Sequence, residues 1–202
     1  MKVRHCAAAL LAAWLGGCGS SPPLHYYALD AISPQSASSA PLGAMLIHVR
    51  HVSVPPEMDH RGLTHHQGPT RLVIAEADEW SASLADLIQA TVTRDLGERL
   101  GYEHVLAPAV QPVAPHPDAD QRGTRASSQA NLDLDFVALS ADDRCSISAQ
   151  VNWTLSVPNG AARRGTTHLT SEAAGCPAGL PTALSAALGD LADQLARELT
   201  AH

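Results

Sequence analysis

Residues 147–157 alternate without a break: Ile147, Ala149, Val151, Trp153, Leu155 and Val157 share one parity, Ser148, Gln150, Asn152, Thr154 and Ser156 the other. A period of two sends the large apolar side chains to one face of a strand, so this segment belongs in a sheet with one side on the core and one side wet. Asn159-Gly160 follows, a pair suited to the positive-φ positions of a tight turn, and residues 165–173 are expected to return antiparallel beside it. Leu132, Leu134, Phe136 and Ala138 alternate in the same way with Asp133 and Asp135.

The earlier strands are marked more faintly. Residues 26–31 read as a first strand, and residues 45–54 are rich in β-branched side chains before Pro55-Pro56 withdraws the next amide donors. Ile47 and Val49 share one parity while Val52 and Val54 share the other, which a β-bulge reconciles. Residues 71–75 read as a shorter strand after a polar loop. From Ser81 the period becomes helical, with Leu84, Leu87, Ile88, Val92, Leu96 and Leu100 on one stripe and Gln89, Arg94, Asp95, Glu98 and Arg99 largely off it. Ser81 or Ser83 caps the start, Asp86 stands three residues after Ser83, and Gly101 ends the helix.

A second helix starts near Pro181, whose fixed φ suits a first turn, and carries Leu184, Leu188, Leu191, Leu195 and Leu199. So regular a stripe is expected to be core packing. Residues 33–43 read as a connection, and residues 108–130, with Pro108, Pro112, Pro115 and Pro117, as a mobile surface loop. The expected fold is α+β: a single domain over residues 25–202, with a mixed, mostly antiparallel β-sheet and two amphipathic helices packed on one face.

Residues 1–17 stand apart from that fold. Lys2 and Arg4 precede an apolar run over residues 6–15, then Gly16-Gly17 and Cys18, in the order of a signal peptide. The run falls short of the roughly 20 residues needed to cross about 30 Å of hydrocarbon. Leu15-Gly16-Gly17-Cys18 resembles the bacterial lipobox, in which a branched apolar residue and two small ones admit the peptidase to the bond before a diacylglyceryl-modified cysteine. An ordinary secretory peptide is the alternative. Cys18 is thus the expected lipid attachment residue and residues 18–24 a short lipidated tether. Two or more palmitate-like chains hold it, since a buried methylene contributes about 0.8 kcal/mol and one chain anchors only marginally. Gly19 stands where lipoproteins kept at the inner membrane often carry aspartate, which favours the periplasmic face of the outer membrane.

Of four cysteines, Cys6 leaves with the signal peptide and Cys18 takes lipid. Cys145 and Cys176 are then a pair in a compartment where disulfides persist, and a bond between them, tying strand to strand, is expected. Two separate buried thiols are the alternative, because spacing does not reveal the distance between their Cα atoms.

Charge and residue choice exclude more than they assign. The formal charge is −7, and loss of Lys2 and Arg4 makes the rest two units more negative. Nucleic acid is not an expected partner, since Lys and Arg on phosphates supply that affinity. Lys2 is the only lysine, so Schiff-base, P-loop and kinase-type lysine chemistry has no residue to run on in residues 18–202. No G-x-S-x-G, C-x-x-C or G-x-G-x-x-G motif occurs, and no catalytic residue or cofactor is assigned. Among eleven histidines the nearest grouping is Asp59, His60, His65 and His66; its spacing fits no zinc motif, and a solvated loop without metal is expected. Asp133 and Asp135 read as solubilising acids on one strand face. Arg163-Arg164 reads as an exposed hairpin turn, contact with lipid phosphate being the sharper alternative.

Taken in order, several segments match one family. They are Tyr26-Tyr27-Ala28-Leu29-Asp30, the strand from Ile47 to Val54 with Pro55-Pro56-Glu57-Met58-Asp59-His60-Arg61, and Glu79-Trp80-Ser81-Ala82-Ser83-Leu84 opening a helix. With Val151-Asn152-Trp153-Thr154-Leu155 and the leucine-striped last helix, they resemble the PqiC-like (YmbA-like) auxiliary lipoproteins of ABC-type transport. Glu79 departs from the basic residue usual there, and residues 108–130 look longer and more polar than usual, so contacts of those regions do not carry over.

The resemblance implies a non-catalytic component of an intermembrane lipid transport system of the mammalian-cell-entry (MCE) type, supporting outer-membrane integrity. Its implied partners are a periplasmic MCE-type tunnel protein, the membrane through the N-terminal lipid, and further copies of itself in a ring. An assembly or pilot lipoprotein for an outer-membrane protein is the alternative, and an enzyme with an unrecognised site a third.

Overall fold

The computed structural model describes residues 23–34, 45–107, 128–157 and 160–200. Cys18, the signal peptide and Asn159 of the expected hairpin turn lie outside the described residues, as do residues 108–127. The strands are β1 (His25–Tyr27), β2 (Met45–Ser53), β3 (Gly62–Gln67), β4 (Arg71–Trp80), β5 (Ser128–Ala141), β6 (Ser146–Ser156) and β7 (Arg163–Glu172). The helices are α1 (Leu84–Leu100) and α2 (Leu180–Thr200), with a 3-10 turn over Tyr102–His104.

The α+β class holds, but the strands form two mixed sheets where one was expected. One has the order β1-β4-β3 and the other β2-β5-β6-β7. In the larger sheet β6 pairs antiparallel with β5 and with β7, so the chain returns beside the alternating strand as its pattern requires. β2 enters parallel to β5, a pairing between distant segments that carries no local sequence signature. Ile147, Ala149, Val151, Trp153 and Leu155 all face the core.

Two bulges keep the apolar sets inward. In β2 the register shifts between Val49 and His51, so Ile47, Val49 and Val52 are all buried despite their mixed parity. In β5 a second shift lies between Phe136 and Ala138. It leaves Val137 exposed and Leu139 and Ala141 buried, and it turns Ala138 outward, against the uninterrupted alternation expected there. β5 also begins at Ser128, inside the segment read as loop, and β1 ends at Tyr27 rather than residue 31.

The smaller sheet was the less legible. β4 runs to Trp80, five residues beyond the short strand expected, and β3 occupies the polar segment read as a loop. The acids that disguise β4 have partners. Asp78 accepts from the Tyr27 hydroxyl at 3.0 Å and meets His25 Nδ1 at 3.0 Å, both on parallel β1. Glu79 pairs with Arg61 at 3.0 Å.

Both helices lie on the apolar side of the larger sheet, α1 against β2 and α2 against β6 and β7, and pack on each other. Ser83 is the cap of α1, its hydroxyl oxygen accepting the Asp86 N–H at 3.2 Å. Gly101 ends the helix at φ 92°, a backbone conformation that other residues adopt only with strain. On α2, Leu184, Leu188, Leu191, Leu195 and Leu199 are buried.

Cys145 and Cys176 form a disulfide with their Cα atoms 5.2 Å apart. It does not tie strand to strand. Cys145 ends the turn between β5 and β6, and Cys176 lies in the connection from β7 into α2, so the bond fixes the entry of the last helix to a hairpin turn. That turn is organised by Asp142, whose carboxylate accepts the N–H groups of Ser146 at 2.8 Å and Arg144 at 2.9 Å; these bonds hold its pKa below the usual carboxylate range. Cys145 and Cys176 are 31 residues apart, so opening the bond releases about 3 to 4 kcal/mol of unfolded-chain entropy. Urea unfolding of Cys145→Ser/Cys176→Ser is expected to show that loss, and an unchanged midpoint would contradict it.

Candidate functional site

Three places gather polar chemistry. The first is a seam where the chain leaving β1 crosses the two helices. Leu29 is buried there, and its carbonyl accepts from Arg94 Nη2 at 2.8 Å. The Asp30 N–H donates to Ser185 Oγ at 3.0 Å, and the Ile32 N–H to Asp95 Oδ1 at 2.7 Å. Ile32 sits so close to α2 that a Cβ on Gly189 would stand 2.8 Å from its own, so no other residue fits unshifted at 189.

Arg99, its side chain 1 % exposed, closes the seam. Its Nε donates to Asp193 Oδ1 at 2.6 Å, Nη1 to the carbonyls of Ile32 and Asp95 at 3.0 Å each, and Nη2 to the Gly189 carbonyl at 3.0 Å. One cation thereby joins the strap, α1 and α2. Asp95 and Arg99 were expected off the buried stripe, yet both are buried, because the strap and α2 cover a wider arc of α1 than its leucines mark.

Burial pushes the Asp95 carboxyl up to about 6; the Ile32 N–H and Arg99 oppose that only in part. Its Oδ2 has no hydrogen-bond partner among the described residues. The folded state therefore binds a proton more tightly than the unfolded chain. This contribution to stability is full below about pH 4 and is lost as pH rises through 6. Asp95→Asn removes the dependence: the wild-type unfolding free energy minus that of the variant is expected to fall by about 1 to 3 kcal/mol between pH 4 and 7. Urea titrations at the two pH values measure it, and a difference constant with pH would show that Asp95 does not titrate in this window.

The second place is the open face of the larger sheet. Asp133 and Asp135 share it, as their parity requires, but each serves a neighbour. Arg50 grips Asp133 with two nitrogens, Nε at 2.9 Å, and the Ser53 hydroxyl donates to Asp135. The histidines do not converge. His65 and His66 lie on β3 on alternate faces, while His60 is exposed in the turn before it. Among the described residues no three His, Cys, Asp or Glu side chains are grouped to hold a metal ion.

The third is a groove of about 620 Å³ between β7 and the last turns of α2, lined by Trp153, Arg163, Arg164, Gly165, Gln194 and Arg197 among others. Arg163 and Arg164 thus belong to the strand and not to the hairpin turn. Arg163 Nη2 donates to the Glu198 carbonyl at 2.6 Å and meets its carboxylate at 3.4 Å. The Arg163-Arg164 pair was the sequence signal here, but the groove itself forms only where β7 is set beside α2.

Residues 27–196 match the family model of the ABC-type transport auxiliary lipoprotein component. This chain belongs to that family. The auxiliary lipoprotein is 28% identical over 92 residues to the intermembrane transport lipoprotein PqiC of Escherichia coli (strain K12), a match covering 45% of this chain and 49% of that protein. PqiC of Shigella flexneri matches to the same extent. The chain spans about half the length of the curated relatives it matches. Among solved structures, the crystal structure of an uncharacterized protein aligns at a TM-score of 0.64 with 16% identity, over 88% of this lipoprotein and 99% of that chain. A Xanthomonas campestris protein aligns at 0.56 with 16% identity, over 88% and 95%. At such identities these two likenesses show a shared fold.

Proposed function

We propose that this auxiliary lipoprotein is the membrane-held, non-catalytic component of an MCE-type intermembrane lipid transport system, placed at the periplasmic face of the outer membrane and supporting that membrane's integrity. The family match over residues 27–196 carries the reading, and the likeness to PqiC, an intermembrane transport lipoprotein, gives it direction. Acylation at Cys18 supplies position. The strap then transmits that position to the helices, since the chain reaching Leu29, Asp30 and Ile32 from the membrane side is bonded to both of them. The acids that might suggest chemistry, Asp133 and Asp135, are occupied by Arg50 and Ser53, which suits a contact surface. In this reading a periplasmic MCE protein docks on the fold, and several copies surround it as a ring.

Partner capture tests the proposal. The full chain, tagged at its C-terminus and drawn from detergent-solubilised membranes after cross-linking in intact cells, is expected to bring down a protein with MCE domains. Capture of an outer-membrane secretin or barrel protein in its place would overturn the transport reading in favour of a piloting role.

A further inference from the structure

We propose that the groove between β7 and α2 binds the phosphate of an anionic phospholipid, with Arg164 and Arg197 on the phosphate oxygens and the indole of Trp153 against the uncharged part of the headgroup. Three of the chain's arginines, Arg163, Arg164 and Arg197, line one groove of a protein whose formal charge is −7. Arg163 is engaged by Glu198, and this leaves two guanidinium groups. Both are exposed, and neither has a carboxylate within ion-pair distance among the described residues. Arg50, Arg61 and Arg99 each hold an acid and Arg94 a carbonyl; Arg71 and Arg144 are also exposed without a carboxylate partner among the described residues, but they lie outside this groove. Paired guanidinium forks match the oxygens of a phosphate better than any other side chain does.

Trp153 gives the groove its second property. Its side chain is more than nine-tenths buried, and its indole edge, including Nε1, lies over Gly165, where an added Cβ would stand 2.8 Å from that nitrogen. The absent side chain at 165 is what lets the ring edge line the groove beside Arg164. The indole Nε1–H is a donor at the groove wall. Thr166 and Gln194 add neutral polar groups at the rim. Two cations, an indole N–H and an aromatic wall fit a phosphodiester with a glycerol backbone; a free anion would use the cations alone. The choice of a lipid source rests on the transport reading.

The test uses the full lipidated chain in non-ionic detergent micelles doped with phosphatidylglycerol, with phosphatidylcholine or with neither, and separately with inorganic phosphate, read by tryptophan emission. Phosphatidylglycerol is expected to give a saturable change that Trp153→Phe abolishes. Arg164→Ala/Arg197→Ala is expected to weaken the response by roughly tenfold or more. Arg71→Ala, which removes another exposed arginine, leaves it unchanged. Should the double alanine variant lose its native circular dichroism, Arg164→Gln/Arg197→Gln replaces it. An equal response in the double variant overturns the site, and inorganic phosphate or phosphatidylcholine binding as tightly as phosphatidylglycerol overturns the anionic-lipid assignment. If the double variant still captures the MCE partner while losing the lipid response, the groove and the transport reading are both upheld. Loss of partner capture by the wild-type chain, with the lipid response intact, sinks the transport reading alone.

Discussion

Arg99→Ala is expected to lower the unfolding free energy by about 3 to 5 kcal/mol, the largest effect of any single side-chain truncation outside the apolar core. The guanidinium meets the Ile32 carbonyl, the Gly189 carbonyl and the Asp193 carboxylate together. Removing it takes a hydrogen bond from each of them and the counter-charge from beside buried Asp95. Arg99→Met, similar in volume, recovers the packing but not the hydrogen bonds, and falls between. Arg50→Ala is the control, because that pair with Asp133 lies on the open sheet face, where such contacts are worth within about 1 kcal/mol. Urea unfolding of the three variants decides the matter. If Arg99→Ala costs no more than Arg50→Ala, the strap is not latched to the helices by this residue.

Cys18→Ala, exported behind a signal peptide that is cut without lipidation, is expected to move the chain from the membrane fraction to the soluble periplasm. Each acyl chain of about 16 carbons buries methylenes at about 0.8 kcal/mol apiece, and two or three chains make release negligible, whereas the unacylated chain loses that whole contribution. No helix among the described residues is long and apolar enough to cross a membrane. The fold should be indifferent to the change. Urea midpoints of the released and the anchored chain are expected to agree, and a variant that stays with the membrane would overturn the assignment of Cys18.

How far the sequence could be read depended on how each element is covered. β6 lies between two strands with one face on the helices, so Ile147 to Leu155 alternate cleanly. The helix α2 is buried around most of its circumference, and its leucines mark the middle of that face. In β4, by contrast, both faces are partly covered, and the period dissolves among Glu76, Asp78 and Glu79, the last two with partners from β1 and from Arg61. β3, with His65 and His66 at its centre, presents the same difficulty. Two sheets in place of one follow from the parallel pairings β1 with β4 and β2 with β5, which no local period encodes. The buried Asp95 and Arg99 flank Leu96 and Leu100 at the edge of a visible stripe. The strap, arriving from sixty-odd residues upstream, and α2 together turn that edge into interior. The groove by Arg164 was half legible: the arginine pair stood out, but neither Arg197 nor the gap left by Gly165 could be placed beside it.

In the proposed function, this fold contributes to lipid movement between membranes through where it is held and what it touches. Isotope pulse-chase of phospholipids, followed by separation of inner and outer membranes, measures that movement directly. Cells lacking this chain are expected to exchange phospholipid more slowly, with the rate restored by the wild-type gene and not by the unanchored Cys18→Ala form. An exchange rate unchanged by deletion, or fully restored by the unanchored form at native abundance, would contradict it.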